Sequence, residues 1–383
     1  MPERIPASGA VHWIGTGLST GSGLTLLGER ADTVTVWART EDKARRCVEQ
    51  QGLTGRAGTR AFDPTGFAAA LAPGDVVISM LPASEHGGLL RLCLARGAHF
   101  GCTSYVSDEL AAAADPAVRA GLVVLTEAGL DPGIDHVLAH ALVARARTAV
   151  GDGPASFTFT SYCGGVPAVA NDFRYRFSWA PRGVLSALCS PARSIESGQV
   201  RDVRWPWEAT SRYELGGEVF EVYPNRDSTP FLAQYELPEK WEPETFVRGT
   251  LRLDGWRAAW AQVFEVLRTG DTAAIDALSA DLLRRYPMGG QDRDRVVLVV
   301  DLRVRGIDGA QWSGSYRLDL VGDRAQTAMA RSVSVPLAYG VAGILDGSTP
   351  AGVHRALPDP AGADAFLGFL ADHGLTCVPA FDS

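Results

Sequence analysis

VHWIGTGLSTG, residues 11–21, decides how the chain is read. An apolar run ends at Gly15, and Gly17 follows just before a helix-length stretch, so the segment reads as a strand (Val11–Gly15), a tight turn and a helix N-terminus. Glycines at such a turn carry no Cβ and let a pyrophosphate lie against the backbone, where unpaired N–H groups and the helix dipole favour negative charge. Gly15, Gly17, Leu18, Ser19 and Thr20 are therefore candidate cofactor contacts. The loop is a variant of GxGxxG, with Thr20 at the third glycine position and Gly21 one residue later. Taken alone it is equally a plain strand-to-helix turn, and its flanks decide between the two.

Working outward, short apolar runs at Thr33–Ala38, Asp75–Met80, Ala98–Cys102 and Leu122–Thr126 alternate with the amphipathic stretches Glu41–Gln51 and Ser84–Arg96. That alternation predicts βαβ units and a doubly wound parallel sheet of Rossmann type, an α/β fold. An NAD site needs an acid at the end of the second strand, but the chain there reads Val36-Trp37-Ala38-Arg39-Thr40. Arg39 supplies a planar, permanently charged fork suited to a 2′-phosphate, with the Thr40 hydroxyl and Lys43 as further donors, so the expected cofactor is NADP(H). The plainer alternative is a solvated arginine at a strand end.

After Gly129 the texture changes. Ser156–Tyr162, Val296–Val304 and Ser313–Leu320 read as strands separated by longer, Trp-rich connections, which predicts a second, α+β domain with a mixed or antiparallel sheet. Ala325–Leu345 returns to helical spacing. The expected division is an NADP-binding domain over 1–130, completed by about 331–383, and a substrate-binding and dimerisation domain over 131–330. A chain of 383 residues carries two such domains comfortably.

The formal charge of -8 argues against phosphodiester backbones as partners, because non-specific binding to nucleic acid rests on clustered Lys and Arg. Six scattered cysteines with no CxxC pair suggest neither a disulfide framework nor a structural zinc site, and fit a reducing cytoplasm. No apolar run approaches the length of a membrane span, and MPERIPASGA lacks a signal peptide's apolar stretch.

Four later segments are more specific than the glycine loop: CTSYVS (102–107), TEAGLDPGIDH (126–136), SYCGGVPA (161–168) with RFSWAPRGVL (176–185), and YPNRDSTPF (223–231) followed by RGTL (248–251). Together, in this order and spacing, they resemble the saccharopine dehydrogenase family in its NADP-dependent, glutamate-forming branch. The resemblance extends from the glycine loop to MARSVSVPLA near 329–338. It implies an enzyme that interconverts saccharopine with L-glutamate and 2-aminoadipate 6-semialdehyde through an imine, and a homodimer. Carried over by motif, Thr103, Ser104, Leu130, Asp131 and Pro132 border the cofactor, and Ser104, Tyr105 and Asp131 meet the substrate. Arg226, Arg248, Gly249 and Thr250 are its substrate contacts in the second domain. The chain departs from the family where an aromatic-Thr-aromatic-His segment is usual: it has Ala83-Ser84-Glu85-His86, and Asp108-Glu109 follow SYVS in place of proline. A related reductase with another amine or aldehyde partner, and a non-catalytic NADPH sensor, are the competing readings.

The chemistry agrees with that allocation. A substrate with several carboxylates, on a negatively charged protein, needs locally concentrated guanidinium groups, for which Arg226 and Arg248 come first and Arg174, Arg176 and Arg182 next. Imine formation and reduction need a group that relays protons near neutral pH, and the candidates are Asp131, Tyr105, Cys163 or water. Asp131 is equally placed to cap a helix beginning near Pro132. His136 and His140 are one helical turn apart, but the Glu of HExxH and a third ligand are missing, so helix packing is expected and no metal.

Overall fold

The computed structural model describes residues 4–178, 181–357 and 360–382, so Trp179 and Ala180 of the RFSWAPRGVL segment lie outside the described residues. The chain divides into two compact units, one running to Val137 and resuming at Ala330–His373, the other spanning Leu138–Met329 and resuming at Gly374. The expected boundaries are corrected at two points: the first unit extends past residue 130, and the residues after His373 belong to the second unit, not the first.

In the first unit, β1 (Ala10–Ile14), β2 (Thr33–Ala38), β3 (Ala57–Ala61), β4 (Val76–Ser79), β5 (His99–Cys102) and β6 (Val123–Thr126) form one parallel sheet with the late strand Gly352–Arg355. Its order is Gly352–Arg355, β6, β5, β4, β1, β2, β3, with the switch of direction between β1 and β4. The inner strands are short, nearly continuous apolar runs because helices cover both of their faces. One layer of core contains Leu24, Val36, Ile78 and Leu125, the other Trp37, Phe67, Leu89 and Phe100. β3 (AGTRA) escaped the sequence reading because it is an outer strand with little buried surface and no apolar run. Gly352–Arg355, at the opposite edge, escaped for the same reason.

The helix Ala328–Leu345 has the length and apolarity of a membrane span, with mean hydropathy 1.3, yet 72% of it is buried within the protein. In the first unit its Leu337, Ala338, Val341 and Ile344 complete the first core layer. The approach is close: a Cβ on Gly23 would stand 1.9 Å from the Ser334 carbonyl oxygen, and the Gly23 N–H donates to Ser334 Oγ at 3.1 Å. Gly23, not Gly21, is thus the glycine that permits tight packing of the helix after the dinucleotide loop, and its partner is a helix far along the chain instead of a neighbouring strand.

In the second unit the strands are β7 (Ala155–Pro167), β8 (Ala192–Glu196), β9 (Gln199–Val203), β10 (Ser211–Leu215), β11 (Glu218–Pro224), β12 (Trp241–Leu253), β13 (Asp294–Gly306) and β14 (Gln311–Val321). They order as β10, β11, β12, β7, β13, β14 and finally Val378–Asp382, with β8 on β12 and β9 on β8. Only β12 and β7 pair in parallel, so the sheet is mixed. The predicted strands are present and longer than expected. The Trp-rich connections form an aromatic layer in which Phe173 stacks between Trp260 (4.8 Å) and Tyr286 (4.2 Å), and Tyr223 stacks on Trp256 (5.1 Å).

Candidate active site

All strands of the first sheet point their carboxyl ends to one edge, and open α/β sheets bind ligands outside that edge at the switch point, here between β1 and β4. Gly15 sits there at φ +106, and a Cβ on it would meet the Met80 carbonyl oxygen at 2.9 Å, so only glycine fits. Gly17 is exposed, with no atom within 4 Å of where a Cβ would stand, leaving room for a ligand. The Thr20 hydroxyl donates to the Gly15 carbonyl at 3.3 Å and holds the loop closed. The following helix, Ser22–Arg30, has Gly21 at its N-cap and so no capping side chain. Leu18 is 48% exposed beside this loop.

Arg39, just past β2, is exposed and joins no ion pair among the described residues, so its fork is available to an anion. Thr40 has a structural duty as well: its hydroxyl accepts from the Lys43 N–H at 3.3 Å and caps the helix Glu41–Gln50. Trp37, on β2 before Arg39, donates from its indole N–H to His12 Nδ1 (3.1 Å). The other nitrogen of His12 therefore carries the proton and faces Asp75 (3.1 Å). Desolvation holds the His12 pKa below its usual value, and this buried chain ties β1 to β2 and to the turn before β4.

The loops after β5 and β6 are bound to each other. Tyr105 donates its hydroxyl to Asp131 Oδ1 at 2.5 Å, so two of the candidate catalytic groups are in direct contact. Glu127, 1% exposed and at φ +53, accepts from the Val106 N–H at 3.1 Å and pairs with His136 Nε2 at 3.2 Å. Burial alone would raise the Glu127 pKa, but the hydrogen bond and charge of His136, the Val106 N–H and Arg355 bring it down to about 2. His136 also lies 3.5 Å from Asp135, whose other oxygen accepts from the Gly133 N–H at 2.7 Å. Gly129 sits tightly against Thr103, whose Cβ lies 3.0 Å from where a Gly129 Cβ would stand. Leu130 is buried, and the Asp131–Pro132 peptide is cis. The helix after this turn begins at Ile134, beyond Pro132, and Asp131 accepts from Tyr105. Between β4 and β5, Ser79 Oγ meets His86 Nδ1 at 2.9 Å and His86 Nε2 meets Ser104 Oγ at 2.8 Å. Burial pushes the His86 pKa down to about 4, so the ring is neutral at pH 7.

In the second unit three motif segments become adjacent strands. Arg248 pairs in register with Ser161, Gly249 with Tyr162 and Thr250 with Cys163, while Pro224 and Tyr223 of YPNR lie opposite Gly249 and Thr250. Gly249 is dictated by packing, since a Cβ would stand 2.5 Å from the Tyr223 carbonyl oxygen and 2.8 Å from the Tyr162 ring. Arg248 is 4% exposed, and its guanidinium lies 3.9 Å from the centre of the Phe231 ring. Its backbone N–H donates to Ser228 Oγ at 2.9 Å, and its carbonyl accepts from the Asn225 N–H at 2.9 Å, which fixes the turn that carries Arg226. Arg226 itself is exposed at φ +56. Cys163 is buried on the same strand-pair row as Thr250.

The secondary arginine candidates fare differently. Arg176 pairs with Asp292 (3.3 Å) and Arg182 with Asp276 (2.6 Å), so both are satisfied by local acids, and Arg174 holds a turn at φ +55. His140 packs its ring against Tyr235 at 5.6 Å. Sequence reasoning passed over Glu127, His86 as a partner of Ser104, and Arg252. Arg252 follows Arg248 and Thr250 at a period of two, so the strand pleat puts all three on one face. It is 6% exposed among Tyr175, Trp256 and Tyr223 at 5.1, 5.6 and 5.7 Å, and pairs with no carboxylate among the described residues. Glu221, opposite it in register, accepts instead from the Gly255 and Arg257 N–H groups. The alternation Arg-x-Thr-x-Arg was the available signal.

Comparison with known proteins bears on both units. A family model of the saccharopine dehydrogenase NADP binding domain matches residues 11–125, and one of the saccharopine dehydrogenase C-terminal domain matches residues 129–375. Saccharopine dehydrogenase (NADP(+), L-glutamate-forming) of Pyricularia oryzae is 29% identical over 419 aligned positions, covering 89% of this chain and 92% of that protein. The Saccharomyces cerevisiae protein of the same name is 36% identical over 223, covering 55% of this chain and 49% of that protein. A solved structure of saccharopine dehydrogenase (L-Glu forming) from Saccharomyces cerevisiae superposes with a TM-score of 0.83 at 26% identity, over 98% of this chain and all of that one. Homospermidine synthase from Legionella pneumophila shares the fold, with a TM-score of 0.65 at 13% identity over 99% of this chain and 93% of that one.

Proposed function

This chain belongs to the saccharopine dehydrogenase family, and on that premise we propose that it is an NADP-dependent oxidoreductase acting on a CH–NH bond, interconverting saccharopine with L-glutamate and 2-aminoadipate 6-semialdehyde. The observation that carries this reading is the extent of the likeness. Identity and superposition run through both units and not through the dinucleotide-binding half alone, so the substrate side is shared with the relatives as well. The activity belongs to amino-acid metabolism, and specifically to that of lysine.

The residues present fit NADP(H). The open space at Gly17, the N-cap without a side chain at Gly21 and the unpaired Arg39 together provide a pyrophosphate seat and a 2′-phosphate fork. When bound, the dinucleotide supplies or accepts the hydride. Gly15, Leu18, Ser19, Thr20 and Thr40 complete its seat, and Thr103, Ser104, Leu130, Asp131 and Pro132 border its reactive end. Tyr105 and Asp131 handle protons: the 2.5 Å bond lets the carboxylate hold the phenolic proton while the Tyr105 oxygen exchanges one with the substrate nitrogen or the departing water. Cys163 lines the row beside Thr250. In the second unit Arg248, with Gly249 and Thr250, and Arg226 on the neighbouring turn hold substrate carboxylates against the unfavourable field of a chain with net charge -8.

We further propose a homodimer formed through the open face of the second sheet. Asp301 and Arg303 stand there among the hydroxyls of Thr158, Thr160, Ser313 and Ser315, a self-complementary polar surface. A cytoplasmic location is supported by six free cysteines, and small-molecule partners, in preference to nucleic acid or membrane, by the net charge and the core position of Ala328–Leu345. The deciding experiment supplies purified protein with NADPH, glutamate and the semialdehyde, and in reverse with NADP+ and saccharopine. Turnover in both directions is expected. Turnover only with other amines makes it a related reductase, and NADPH binding without turnover makes it a sensor.

A further inference from the structure

The chain Ser79, His86, Ser104 lies wholly in the first unit, and the proton path through Tyr105 and Asp131 does not use it. Ser79 is fully buried, and among the described residues its hydroxyl has one partner, His86 Nδ1. His86 is 2% exposed with its ring edge-on to Phe100, so neither group is open to bulk solvent. Ser104 is only half buried, and among the described residues its Oγ hydrogen-bonds with His86 Nε2 alone.

A neutral imidazole donates from one nitrogen and accepts at the other, so two arrangements exist. If Nδ1 carried the hydrogen, it would donate to Ser79, and the Ser79 hydroxyl hydrogen would be buried with no acceptor. If Nε2 carries it, Ser79 donates to Nδ1, Nε2 donates to Ser104, and every buried donor is satisfied. Leaving a buried hydroxyl hydrogen unpaired disfavours the first arrangement roughly ten-fold or more. A doubly protonated ring has the same unpaired hydroxyl and bears a buried charge as well, which is why its pKa lies near 4 and this form is absent at neutral pH.

We propose that His86 is a positioning residue, locked by Ser79 as the Nε2–H tautomer, which makes Ser104 present its own hydroxyl hydrogen outward as a donor to an oxygen acceptor on the ligand. This deepens the function proposed above and rests on it only for the ligand's identity. A carboxylate oxygen of the amino-acid substrate and a carboxamide or ribose oxygen of the dinucleotide share the required chemistry.

The tautomer is read directly in the resting protein with 15N-labelled histidine, the His86 signals being those lost in His86→Met. Protonated Nε2 beside bare Nδ1 is expected, and protonated Nδ1 overturns the proposal whatever the enzyme's activity. Direct NADPH titration and substrate KM then separate the two ligand sources. Ser104→Ala is expected to weaken one of them roughly three- to thirty-fold, and no change in either overturns the donor role. His86→Met should show the same defect, whereas His86→Gln, whose amide N–H takes the place of Nε2–H, should restore most of it. Equal behaviour of Met and Gln also counts against positioning. Failure of wild-type turnover with saccharopine strikes the proposed function and leaves the tautomer measurement standing.

Discussion

The loops at the carboxyl edge of the parallel sheet and the face of β12 hold their functional side chains in opposite ways. In the first unit Tyr105, Asp131 and Glu127 hang from turns and His136 stands in the first turn of the helix Ile134–Val150, and polar contacts of their side chains tie them together. In the second unit Arg248, Thr250 and Arg252 stand on a strand paired on both sides, and backbone register sets where they are. A site built from side-chain bonds can be disabled by a single atom change without disturbing the fold. A site built from register is insensitive to polar edits nearby but intolerant of added bulk in its strands.

The largest effect that would sharpen this contrast is on turnover. Asp131→Asn and Tyr105→Phe should each lower kcat by about 10²–10⁴ while NADPH affinity and melting temperature stay close to wild type. Single-turnover kinetics and NADPH titration check it, and a joint loss of cofactor binding would mean that the pair is structural. Next comes Arg248→Met, expected to raise substrate KM by about thirty-fold or more with little change in kcat, as the loss of a charge-assisted carboxylate contact requires. Arg252→Met measures, on the same assay, whether the guanidinium next along the row shares the load.

Acid should separate the two units. Burial holds the pKa values of His86 and His99 near 4, whereas the unfolded chain titrates near 6.5. Their contribution is therefore complete above pH 6.5 and is lost as pH falls from there towards 4, a few kcal/mol for the two together. Glu127 acts in a lower window: its contribution is present above about 4.5 and disappears as pH falls towards 2. The second unit contains only His140, so chemical denaturation between pH 7 and 4 should show the first unit weakening alone, and His86→Gln should flatten that slope. The smallest effect is cofactor choice: Arg39→Ala should shift the ratio of NADPH to NADH efficiency by roughly ten-fold, the value of a charge-assisted bond at an exposed site.

The same contrast explains what was legible in the sequence. The strand-turn-helix at Gly15 and Gly17 and the buried strands were readable because local glycines and apolar runs report local geometry. Gly23 was not recognised as the packing glycine because its partner, Ser334, is remote in sequence, and no local pattern marks a helix that returns from so far. Glu127 was missed because a glutamate in a turn ordinarily faces water, and the tertiary placement of His136, the Val106 N–H and Arg355 is what makes it a buried ion. β3 and Gly352–Arg355 lack apolar patterning because edge strands need less of it. The role of Arg252 was within reach of a period-two count, but its aromatic surroundings come from three separate segments.

The return of Ala330–Ile344 onto Gly23 has a consequence for biosynthesis. A chain emerging from the ribosome displays β1 to β6 long before the segment that covers one side of them exists, so the nascent first unit exposes Leu24, Val36 and Leu125 until nearly the whole message has been translated. The later half, whose strands are contiguous in the chain from β7 to β14, has most of its partners to hand earlier and is the part able to mature ahead of the N-terminal one. Order of appearance and order of completion are thereby reversed.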